Sequence, residues 1–182
     1  MNSSKLRVCI LATLPPPFGG LASSILNLLR VLPKLDVVVH VVTEDRKDCP
    51  RIDGVHYHYV YPITIEHEPH TLFDTLKIVL VALGSGFFYF VSLAAFSLLH
   101  PIDSINAISR IWDTCIGIKG RGIFVIRSFL WYLRLLEIVR KYNIDLIHSH
   151  HSHTPKTIAA LVLKEQCGRP VVLSVYGEAS YW

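Results

Sequence analysis

The sequence predicts an α/β fold, a Rossmann-like parallel sheet with helices on both faces, interrupted by an inserted hydrophobic helical segment. Three observations carry this expectation. Short runs of Val, Ile and Leu alternate with stretches of helical periodicity. Several of those runs are continuous rather than alternating, which is the pattern of strands covered on both sides. Gly- and Pro-rich loops separate the two kinds of element and set a βαβ rhythm of right-handed crossovers.

Leu6 to Ala12 reads as the first buried strand. Lys5 and Arg7 ahead of it give it a superficial likeness to a signal peptide. However, the apolar run is at the short limit, three prolines follow it, and no small-residue cleavage site fits. The loop from Pro15 to Gly20 leads into a helix over Ser23 to Leu32, where Ile25, Leu28, Leu29 and Leu32 share one face and Pro33 ends the run. Val37 to Val42 is the second strand, and Val55 to Val60 alternates like a third strand at an edge. Ile144 to Ile147 forms a strand, Pro155 to Glu165 a helix, and Pro170 to Val175 the last strand.

With 182 residues the chain makes one domain with a real core. A net charge of +4 and the lack of a basic run interleaved with aromatics set nucleic acid aside as a partner. Cys9, Cys49, Cys115 and Cys167 lie far apart, without a C-x-x-C pair or a disulfide framework, which points to a reducing cytosol. The hydrophobic share is 51% and the mean hydropathy +0.40, high for a freely soluble protein, so part of the chain is expected to meet lipid or a partner.

The middle of the chain breaks the rhythm. Residues 78–99 carry no charge over about the length of a bilayer-spanning helix. A single crossing would separate the first three strands from the last two, so the segment is expected to dip into one leaflet and return at Gly84 to Gly86, or to lie along the surface. Beyond it, Arg127, Arg134 and Lys141 recur every seven residues, with Phe124, Phe129, Trp131, Leu135 and Ile138 around them. A basic amphipathic helix of this kind rests on anionic lipid, each cation contributing about 1 kcal/mol. The alternative is a core helix with a solvated charged face. The expected membrane-associating insertion spans about residues 62–122.

Three loops fall at the carboxyl ends of the expected strands, where ligands of α/β proteins gather. Gly19 and Gly20 open the first helix, where a phosphate or sugar fits against backbone N–H groups, or where the chain simply turns. They match neither G-x-G-x-x-G nor a Walker loop. His148, His150, His151 and His153 form the densest polar cluster. Their spacing matches no metal motif, and nearby Cys, Asp or Glu ligands are missing, so no metal is expected. Recognition of substrate hydroxyls, or support of a catalytic group, is the functional reading, and loop histidines bonded to backbone the bland one. His148 still belongs to the strand, while His150 and His151 point into the mouth. The third loop holds Tyr176, Gly177 and Glu178, whose carboxylate suits sugar hydroxyls unless these residues are only a chain end.

Taken in order, Arg7 to Ala12, Gly19-Gly20 opening a helix, Asp145 to His150, and Pro170 to Gly177 resemble the N-terminal, acceptor-side domain of family 4 glycosyltransferases of GT-B fold. The resemblance covers most of the chain outside about residues 62–122. It implies a sugar transferred from a nucleotide-sugar donor to a glycan or lipid-linked, membrane-proximal acceptor, with no cofactor beyond the donor. It also implies a second domain, or a donor-binding subunit, that holds the donor with paired glutamates and a basic residue; no counterpart of it is recognised in the 182 residues.

Family members commonly retain anomeric configuration without a metal, by front-face attack assisted by the leaving phosphate. Carried over, Gly19 and Gly20 lie near donor phosphates, and His150 and His151 near the acceptor as the catalytic pair with Tyr176. His148, His153, Gly177 and Glu178 complete substrate binding. The family usually ends its last strand in His-Gly, and here Tyr176 takes the histidine's place. A tyrosine of reference pKa near 10 can donate a hydrogen bond there but is a poor general base at neutral pH. The expected location is the cytoplasmic side of a membrane, peripheral or monotopic. Two other outcomes fit the same residues: a noncatalytic subunit that anchors to membrane and recruits acceptor, and an inactive truncated product.

Overall fold

The computed structural model describes residues 5–12, 14, 20–43, 51–60, 91, 95, 98, 101–117, 121–150 and 154–175. In chain order they form β1 (Arg7–Leu11), α1 (Gly20–Val31), a 3-10 turn (Leu32–Leu35), β2 (Val38–Thr43), β3 (Val55–Tyr59), α2 (Pro101–Thr114), α3 (Arg121–Tyr142), β4 (Leu146–His150), α4 (Pro155–Cys167) and β5 (Val171–Ser174). The five strands pair in parallel in the order β3-β2-β1-β4-β5. Val8 to Leu11, Val39, Val41 and Val42 are buried, as central parallel strands require.

Helices cover both faces. On one, Ile25, Leu26 and Leu29 of α1 pack on Val8, Ile10, Val39 and Val41. On the other, α2, α3 and α4 build the larger core over Cys9, Leu11, Val42 and Ile147. The first strand expected from sequence is thus a buried strand of the sheet. Arg7 and Asp145 pin the start of the β1–β4 pair: the Arg7 amide donates to Asp145 Oδ2 at 2.9 Å, and the Asp145 amide to the Arg7 carbonyl at 2.9 Å.

Boundaries moved where local chemistry decided them. The α-helix ends at Val31, ahead of Pro33 as expected, but the chain goes on into a 3-10 turn with Pro33 in its first positions, which closes on Asp36 in the left-handed region at φ 62°, with its N–H bonded to the Leu32 and Pro33 carbonyls. The strand expected to end at Ile147 runs on through His150, because Ser149 pairs with Leu11 and His150 with Ser174 in the ladder. Backbone pairing is indifferent to the polarity of the side chains it carries. Helix α4 is capped at both ends. The Thr154 hydroxyl accepts from the Thr157 amide, Pro155 fills the first turn, and Gly168 at φ 65° returns its N–H to the Lys164 carbonyl at 2.9 Å.

The basic amphipathic helix expected to rest on lipid is instead a core helix. Phe129, Trp131, Leu135 and Ile138 of α3 are buried, and so are Tyr132, Leu136 and Val139. Its apolar side is spent on the sheet, α2 and α4. The Tyr132 hydroxyl donates to Gln166 of α4, whose amide reaches the Asp103 carbonyl of α2 at 3.4 Å. Part of the expected insertion, residues 101–117, therefore belongs to the folded body, with Ser104, Ala107, Ile111 and Cys115 buried. Most of the charge-free segment 78–99 lies outside the described residues. Among those described, no helix is long and apolar enough to cross a membrane.

Candidate functional site at the β1–β4 switch point

Strands β1 and β4 are neighbours whose following helices leave to opposite faces, α1 to one and α4 to the other. At such a reversal the connections diverge and open a crevice beyond the carboxyl ends. The alternation of β4 divides its polar residues between the two walls. His148 and His150 share the α1 side with Leu146, while Ile147 and Ser149 face α4.

On the α4 wall, Ser149, Thr157 and Thr154 form a hydroxyl chain, with Oγ to Oγ1 at 2.8 Å and Oγ1 to Oγ1 at 3.0 Å. It ties the end of β4 to the first turn of α4. Lys156, in that same turn, is nine-tenths buried, an unusual place for an amine because it faces both desolvation and the positive end of the helix. Nothing in the sequence pattern marks it, since a lysine after Thr-Pro reads as a solvated first turn.

On the α1 wall, the His148 and His150 rings lie 4.3 Å apart at 35°. His148 Nε2 is 2.7 Å from Ser174 Oγ, a bond that crosses from β4 to β5. Burial lowers the His148 pKa, so its ring stays neutral and offers one donor and one acceptor. His150 closes β4 at 1% exposure, enclosed rather than open to the mouth as the sequence suggested. Gly20 begins α1, exposed, with open space where a Cβ would stand, so close backbone approach by a ligand is sterically free there.

The structure thus describes three of the nine sequence-predicted site residues, Gly20, His148 and His150, at the ends of elements that meet this crevice. Gly19, His151, His153, Tyr176, Gly177 and Glu178 lie outside the described residues.

A second histidine group was not singled out by sequence. His40 of β2 stacks with His56 at 4.8 Å and His58 at 5.2 Å between ring centroids, with His40 Nδ1 2.9 Å from His58 Nε2. Tyr142 of α3 leans on two of these rings at 4.6 and 5.0 Å. Burial, then the neighbouring His58, His56 and Arg7, lowers the His40 pKa to about 4. For His58, burial followed chiefly by Arg134 lowers it to about 4 as well. The alternating His-Tyr-His-Tyr of β3 was the available signal, read only as an edge strand. The rings stack face to face, and among the described residues no group of three His, Cys, Asp or Glu could hold a metal ion. An open cleft of about 460 Å³ runs along the outer edge of β3, between Arg51, Asp53, His56 and Tyr59, two strands away from the switch point.

Compared with known proteins, the chain matches no family model, and no curated protein matches it.

Proposed function

We propose that this chain is the acceptor-binding half of a GT-B glycosyltransferase. It works at the cytoplasmic face of a membrane, on a lipid-linked or membrane-proximal acceptor, with the nucleotide-sugar held by a donor-binding domain or subunit. The observation that supports the reading is the reversal at β1 and β4, where α1, opened by Gly20, leaves to one face and α4 to the other, with His148 and His150 adjacent on β4. A helix start supplies backbone N–H groups for the anionic donor. The neutral His148 ring supplies the mixed donor and acceptor that sugar hydroxyls need.

The chemistry asked of these residues is positioning. His148, anchored to Ser174, backs His150, and His150 with His151 orients the acceptor hydroxyl for front-face attack while the leaving phosphate assists. The test combines the full chain with a candidate donor-binding subunit, labelled nucleotide-sugar and a membrane lipid extract, and measures label in the lipid. His150→Ala with His151→Ala should lower transfer about a hundredfold. Transfer at the parent rate would remove the histidines from the mechanism.

The second reading, a noncatalytic subunit that recruits acceptor to the membrane, draws support from the enclosure of His150 and the engagement of His148 by Ser174. It predicts acceptor binding by the chain with transfer unaltered by its addition.

A further inference from the structure

Helix α2 is built inside out for a helix in water. The side packed on α3 and α4 carries Ser104, Ala107, Ile111 and Cys115, mostly small. The large apolar residues face outward: Ile102 is 73% exposed, Ile105 67% and Ile116 67%, with Trp112 and Ile108 beside them. A helix whose outer solvent is water puts its bulk inward and its charge outward. Small residues toward helix neighbours and large ones outward is the arrangement favoured where the surroundings are hydrocarbon.

Two of the three charges of α2 are drawn aside: Asp103 faces Arg140 at 3.8 Å and Arg110 pairs with Glu165, so both lean on the neighbouring helices, and the exposed Asp113 is the one charge left beside the apolar strip. The strip also has a direction. Leu98 and Val91, both exposed, precede Ile102 and Ile105 at helical spacing and stand inside the charge-free stretch 78–99. Charge favours anionic headgroups, since residues 101–142 hold seven Lys and Arg against three Asp and Glu.

We propose that α2 lies flat in the headgroup boundary of an anionic bilayer, with Ile102, Ile105 and Trp112 of the helix and Ile116 of the turn after it inserted among the acyl chains. With 14 residues it is too short to span, and the depth reached is that of an interfacial helix. The inference rests on the membrane reading above but moves the contact from α3, whose apolar side is core, to α2. A second copy of the chain is the weaker occupant. Ser109 takes the next step of the line and fills no hole, and Ile108 widens it beyond a coiled-coil seam.

The test uses the full chain with vesicles of phosphatidylcholine alone or mixed with phosphatidylserine, read by co-sedimentation and by quenching of Trp112 with brominated lipid, with Trp112→Phe as control. Binding should be stronger to the mixed vesicles, weakened but not abolished by salt, and lowered at least about tenfold by Ile102→Asp with Ile105→Asp, which leave circular dichroism unchanged. Leu98→Asp should act in the same direction and serves if the double variant misfolds. Vesicle binding that survives all three changes would overturn the α2 assignment and leave the membrane reading standing. A parent chain that binds no vesicle would overturn both. Self-association abolished by the same substitutions, without Trp112 quenching, would make the occupant a second copy.

Discussion

His148 and His150 at the end of β4, and His40, His56 and His58 within β2 and β3, are five imidazoles on one sheet and on opposite faces of it. The first pair stands on β4, whose helix leaves to the face opposite that of its neighbour β1. The second group lies beneath Tyr142, the last residue of α3, on the edge pair β2 and β3. Position on the sheet, rather than abundance of histidine, separates a candidate for recognition from a structural cluster. The cluster is also the more perturbed of the two, with His40 and His58 lowered to about 4 by burial, by one another and by nearby cations. Perturbation is therefore no guide to function here unless the site also opens to a ligand.

The largest effect that would break this contrast is acid sensitivity. His40 and His58 bind protons near pH 6.5 when unfolded and only near pH 4 when folded. Between those values the unfolded chain holds more protons, so their contribution to stability is intact above pH 6.5 and falls away as the pH drops through 4. Urea unfolding at a series of pH values should show roughly 3 kcal/mol lost per histidine across that window. About half of the slope should vanish in His40→Leu, since the His58 shift is set by burial and Arg134, at a cost near neutrality for the His58 nitrogen left behind. An equal slope in His40→Leu would mean that the acid response comes from elsewhere.

Next in size is the hydroxyl chain of the α4 wall. Thr157→Val keeps the shape and strands the buried Ser149 hydroxyl, which should cost about 1 to 3 kcal/mol in denaturant unfolding without altering the acid slope. On the α1 wall, Ser174→Ala removes a single bond to a half-buried ring. About 1 kcal/mol is expected, again with the acid slope retained. Should Ser174→Ala flatten the acid response, the two histidine groups would be coupled through the sheet rather than separate.

Much of this contrast was legible in the residues. Four apolar runs and one alternating run predicted five strands, and Gly20 and Thr154-Pro155 sit where helices begin. The cluster at β4 announced itself because four histidines in six positions interrupt an apolar strand. His40 did not, because one histidine among valines looks like a tolerated core residue, and its partners are sixteen and eighteen positions away. Helix α3 shows a second limit. The seven-residue repeat of Arg127, Arg134 and Lys141 describes a charged face, but periodicity cannot say whether the opposite face meets the protein's own core or lipid. The contact that decided it, α3 against α4 and the sheet, joins segments whose proximity no local pattern encodes. Helix α2 escaped for the related reason that its two apolar sides blur into one composition.

The finest test of the contrast leaves stability almost alone. Arg134 pairs with Glu137 at 2.5 Å on the half-exposed side of α3, an i,i+3 pair worth under about 0.5 kcal/mol. The same guanidinium is the leading charge that holds the His58 ring neutral, while Glu137 acts in the opposite sense. Arg134→Gln removes a cation and leaves the carboxylate, so both changes favour the protonated ring and the His58 pKa should rise. His148 lies on the other face with burial as its cause of shift, and should not follow. Histidine ring shifts in a pH titration followed by NMR read both at once. Movement of His58 alone locates the charge field of α3 on the cluster face, and equal movement of His148 would show that the sheet does not insulate the switch point from it.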